Sequence, residues 1–136
     1  MPPAPIQTGF GLIRLGVNGS LDTSFGAHGA VITGFGSTEP STTANALALQ
    51  TNGDIVAAGV AGKIGFNGNQ EQPSVFALAR YSTAGSLDST FGSKGLVTTA
   101  FGSSSAFISA TAVQSDGKIV AVGFGKTVTI ARYLGQ

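Results

Sequence analysis

The chain has no cysteine and no tryptophan, one histidine, one methionine and few charges of either sign. Each shortage removes a class of function. Without cysteine there is no disulfide framework and no thiolate nucleophile. A single histidine, His28, leaves at most one conventional general base, and no nucleophile elbow accompanies it. Charged residues are 10% of the 136, and seven Lys/Arg against six Asp/Glu leave a net charge of +1. That balance gives no field strong enough to steer nucleic acid or an anionic membrane surface. No apolar run approaches the roughly 18 residues of a membrane span. The first residues, Met1-Pro2-Pro3-Ala4-Pro5, lack the basic and apolar regions of a signal peptide. Three prolines in five residues predict an extended arm over residues 1–9.

What the chain has is glycine, 21 in all, and an internal repeat. Phe10–Gly36 aligns without a gap on Phe76–Gly102, with 14 of 27 positions identical. Ala44–Val60 aligns on Ile108–Phe124 with 8 of 17 identical. A partial third copy, Thr129 to Leu134, echoes Leu78-Ala79-Arg80-Tyr81. The repeat domain therefore covers residues 10–136, with copies at about 10–75 and 76–128 and a remnant at 129–134. Between the glycines, short runs rich in Val, Ile, Thr, Phe and Ala predict nine strands and no helix. Asn52-Gly53 and Asp116-Gly117 predict hairpins. In Phe76–Tyr81, Phe76, Leu78 and Arg80 share one face, and Ala77, Ala79 and Tyr81 share the other.

Three motifs recur: Leu-Asp-x-x-Phe-Gly-x-x-Gly-x-Val at Leu21–Val31 and Leu87–Val97, Gln-x-x-Gly-x-Ile-Val at Gln50–Val56 and Gln114–Val120, and Ala-Arg-Tyr at Ala79–Tyr81 and Ala131–Tyr133. In combination they resemble the delta-60 repeat over nearly all of Phe10–Leu134. The resemblance implies β-propeller-like blades of four strands, a bacterial and commonly exported protein, and no catalytic activity. The expected fold is all-β, with two blades of about four antiparallel strands plus one extra strand. A propeller needs about four to eight blades to close. Completion by oligomerisation is therefore expected: three copies give six blades and four give eight, while a contact that does not close gives a filament.

The charged residues suggest braces more than a site. Arg14, Arg80 and Arg132 occupy one repeat position, and Asp22 and Asp88 lie eight residues after the first two. A planar guanidinium suits a carboxylate partner, so Arg14–Asp22 and Arg80–Asp88 are expected to be structural ion pairs. Arg132 has no acid at that spacing and is expected to meet Asp22 or another acid of a neighbouring subunit. His28 aligns with Lys94, which marks an exposed turn rather than a metal ligand. Acids are scattered singly, so no metal site and no cofactor are expected. Gly125-Lys126-Thr127 lacks the upstream glycine of a phosphate loop, since Val120 stands there.

The copies differ most at 61–74, a long polar loop facing a counterpart of about three residues. Phe66, Asn67, Asn69, Gln70 and Glu71 in that loop are the candidate contacts for a glycan or surface partner. The leading expectation is a non-enzymatic, extracellular or cell-surface homo-oligomer, trimeric or tetrameric, assembled by blade packing. A glycan- or surface-binding module using loop 61–74, and a subunit of a filament or virion surface, are the alternatives.

Overall fold

The computed structural model describes residues 8–36, 42–62 and 73–135. Among them there are nine strands and no helix. They are β1 (Phe10–Ile13), β2 (Ala30–Thr33), β3 (Thr43–Leu49), β4 (Ile55–Ala61), β5 (Val75–Tyr81), β6 (Leu96–Thr99), β7 (Phe107–Val113), β8 (Ile119–Phe124) and β9 (Val128–Tyr133). All pairing is antiparallel, in three meandering sheets: β1-β2, β3-β4-β5-β6 and β7-β8-β9.

The all-β class and the nine strands are as read from the sequence. Their grouping differs: two, four and three, not four, four and one. The sequence repeat begins at β1, but the sheet begins at β3. Pairing runs through the close β3-β4 turn and on through β5 to β6, whereas β2 does not pair with β3. The first copy is thus divided between two sheets.

The β3-β4 and β7-β8 turns are near copies. Gly53 and Gly117 take φ of 89° and 82°, a conformation that penalises any side chain. Asn52 and Asp116 contribute in another way: their side-chain oxygens accept from the amides of Asp54 and Lys118 at 3.0 and 3.1 Å, which locks the turn.

The middle sheet is covered on both faces, so its central strands carry apolar residues at successive positions. Val56, Ala58, Phe76 and Leu78 pack on Ala106, Ile108, Ile119 and Ala121 of the third sheet. Ala57, Ala61, Ala77, Ala79 and Tyr81 pack on Phe10, Leu12 and Phe25 of the first. The alternation read along β5 is therefore a division between two cores. Small residues on one face and large ones on the other let successive sheets approach closely. Edge-on ring contacts repeat with them, Phe10 with Phe35 at 4.7 Å and Phe76 with Phe101 at 4.9 Å.

Candidate functional site

The loops β1–β2 and β5–β6 carry the densest polar structure and build the same object twice. Each leaves its strand and folds back on it. The Asp22 amide donates to the Arg14 carbonyl at 2.9 Å, and Asp88 repeats this with Arg80 at 2.9 Å. One carboxylate oxygen of each Asp closes its own turn: Asp22 Oδ1 accepts from the amide and hydroxyl of Ser24, and Asp88 Oδ1 from those of Thr90. The other oxygen receives the arginine, with Arg14 Nε donating to Asp22 Oδ2 and Arg80 Nε to Asp88 Oδ2, both at 2.8 Å. Each guanidinium also lies 4.8 Å from the centre of a phenylalanine ring, Phe25 or Phe91, a cation–π contact.

These interactions set the ionisation. Ser24, and then Arg14, hold Asp22 below its ordinary value of 3.8, while Thr90, and then Arg80, do the same for Asp88. The two sites differ in depth. Arg80 is 1% exposed, whereas the Arg14 side chain is about one-third exposed. Arg80 also donates weakly to Gln50 at 3.5 Å, and Gln50 donates onward to the Gly135 carbonyl at 3.0 Å. Arg14 reaches the Thr83 carbonyl on the next sheet. Both guanidinium groups are thus engaged by carboxylate, hydroxyl and ring, with Arg14 tied to the next sheet directly and Arg80 only through Gln50. Their chemistry is that of a brace.

A second set of residues was not singled out from the sequence. Tyr81 donates its hydroxyl to Thr33 at 2.8 Å, joining β5 to β2 of the preceding sheet. Tyr133 and Thr99 share a hydrogen bond at 3.0 Å between β9 and β6, one sheet further on. Burial raises both tyrosines above 10.0, partly opposed by the threonine partner. The signal was present, since Thr33 aligns with Thr99 and Tyr81 with Tyr133. It is a bond between sheets, and a linear reading of one repeat does not pair them. Asn45 adds another link, donating to the Ile108 carbonyl at 2.9 Å.

The remaining sequence candidates lie apart. Arg132 is exposed on β9, with no carboxylate within 4.0 Å among the described residues. Phe66, Asn67, Asn69, Gln70 and Glu71 lie outside the described residues. His28 and Lys94 are exposed and take φ of 56° and 55°, which is the turn geometry common to both copies. Among the described residues no three His, Cys, Asp or Glu side chains cluster as metal ligands, and no helix is long and apolar enough to cross a membrane.

Two open sheet faces are the larger feature. On the third sheet, Phe124, Val128 and Ile130 are 51%, 64% and 66% exposed. Ile130 is the repeat counterpart of Leu78, and Val128 that of Phe76, both fully buried one sheet earlier. On the first sheet Ile13, Leu15 and Ile32 are exposed where Ala79, Tyr81 and Thr98 stand in the middle sheet. A chain of sheets that pack face to face, each with one covered by the next, is how propeller blades are laid out. Residues 6–25 and 50–91 match a family described as a domain of unknown function (DUF5122) beta-propeller. A four-stranded sheet flanked by sheets of two and three strands, with open outer faces, is consistent with an incomplete propeller. No curated protein and no solved structure matches the chain.

Proposed function

We propose that the protein is a non-enzymatic building block that assembles with copies of itself, through blade packing, into a ring-like propeller of three or four chains. The repeat is of the delta-60 kind, and the assembled ring works outside the cell or at its surface. One observation carries the reading: the exposed face of the third sheet is the counterpart, position by position, of the buried face of the middle sheet. The chain thus contains its own example of how that face is covered.

The energetics favour a closed assembly over a single contact. Covering the exposed part of Phe124 and the half-buried Val120 and Val122 beside it on β8 contributes roughly 1–3 kcal/mol. Losing translational and rotational freedom costs roughly 4–15 kcal/mol. A ring uses both ends of every copy, so its last contact forms without a further loss of freedom. Arg132 stands on the same face. Asp116 feels its charge without pairing with it, and enclosing the guanidinium unpaired costs several kcal/mol, which favours a covering copy that supplies an acid or takes the place of β9.

Native mass spectrometry tests the reading. A trimer or tetramer is expected for the unaltered chain, and Phe124→Asp, on the open face of β8, should give a folded monomer with an unchanged β-type circular dichroism spectrum. A monomeric unaltered chain at micromolar concentration overturns it.

A further inference from the structure

The first sheet holds the third and fourth strand positions of a blade, and the third sheet holds the first, second and third. β1 and β9 are therefore both third-position strands, aligned with β5 through Arg14, Arg80 and Arg132. If two copies are to share one blade, five strands compete for four places.

We infer that the shared blade forms by strand exchange: β1 of one copy, bringing β2 with it, pairs with β8 of the next and displaces β9. This rests on the assembly proposed above and specifies how the copies join. Three observations favour β1 over β9. First, β1 arrives with a finished brace, its Arg14 already held by Asp22 and stacked on Phe25, whereas Arg132 on β9 acts on Asp116 only through space, with no salt bridge among the described residues, and leaves the face when β9 leaves. Second, β1 carries its fourth strand, β2, in an existing antiparallel register.

Third, a groove of about 440 Å³ runs beside the unpaired edge of β1, lined by Gly11, Leu12 and Ile13 and by residues 44–47 of β3. It corresponds to the place where β4, paired to β5, packs against β7. A second-position strand fills such a groove, and β8 is one. Transferring the β4-β5 register sets Leu12 opposite Val122, Arg14 opposite Val120 and Phe10 opposite Phe124. Exchange forfeits the Tyr133–Thr99 bond and sets Ile13 where Ala131 was. Against that, β9 leaves with Val128 and Ile130, which are largely uncovered where they are. Each copy then contributes two full blades, so three copies make six and four make eight. Exchange of an element between identical chains needs no new fold.

The absence of native cysteine makes the test direct. In Leu12→Cys with Val122→Cys, mild oxidation should link copies covalently into a dimer-to-tetramer ladder on a non-reducing gel. In Val122→Cys with Ile130→Cys, oxidation fastens β9 to β8 within one chain; the product should be monomeric and return to the oligomer on reduction. Arg132→Ala should leave the oligomer mass unchanged. If the unaltered chain is oligomeric but the fastened variant stays assembled, or Arg132→Ala dissociates it, exchange is wrong while assembly by blade packing stands. If the unaltered chain is monomeric, both fall.

Discussion

The arginine brace and the tyrosine bridge make opposite demands on pH. Asp22 and Asp88 titrate below 3.8 in the folded chain. A depressed carboxylate contributes stability that is complete above its unfolded value and lost as pH falls through its folded value. Denaturant midpoints should therefore hold steady from neutrality down to about pH 5 and fall below about pH 4. Asp88→Asn should lower the neutral-pH midpoint, because Arg80 is left buried beside an amide, and should flatten the acid limb of a pH–stability profile. Tyr81 titrates above 10.0. A raised group keeps its contribution below the unfolded value and loses it as pH rises past that point, so unfolding should set in on the alkaline side above about pH 10. Tyr81→Phe should cost about 0.5–1.5 kcal/mol at neutral pH through the lost bond to Thr33, and should reduce the alkaline loss. Urea titrations at pH 7 and pH 10.5 measure both effects.

Among the elements, the first strand of each blade-like sheet carries a bulge opposite a glycine. The register slips between Ala44 and Ala46 on β3 and between Ile108 and Ala110 on β7. The facing residues are Gly59 and Gly123, where a Cβ would come within 1.9 Å of the Thr43 and Phe107 carbonyl oxygens respectively. Bulges of this kind sharpen twist and are positioned features of a sheet. Gly59→Ala and Gly123→Ala should each cost about 1–3 kcal/mol by overpacking. Gly11→Ala meets nothing within 4 Å and should change the unfolding free energy from urea titration by less than about 0.5 kcal/mol. Strand positions were legible because Val, Ile, Thr and Ala runs sit between glycine turns. The bulges were not placed: Gly59 and Gly123 inside apolar runs are the mark a bulge leaves, but which facing residue slips is a relation between two strands. The same holds for Tyr81 with Thr33, 48 residues apart, whereas Arg14 and Asp22, eight apart on one loop, were close enough to pair by spacing.

At the scale of the whole molecule, three sheets stack face to face with only the middle one covered on both sides. Val122→Asp places a charge on the open face of the third sheet and should shift the oligomer toward monomer in light scattering, whereas Val17→Asp, at a fully exposed loop position, should not. Repetition, the all-β class and the two-faced pattern of β5 follow from residue order, since turns, β-propensity and side-chain alternation act over a few neighbouring residues. The division of nine strands into two, four and three does not follow from that order. It depends on which of the neighbouring strand edges meet and on which faces lie together, and the faces are joined by contacts between residues 63 to 85 apart, where packing rather than local preference chooses the partner.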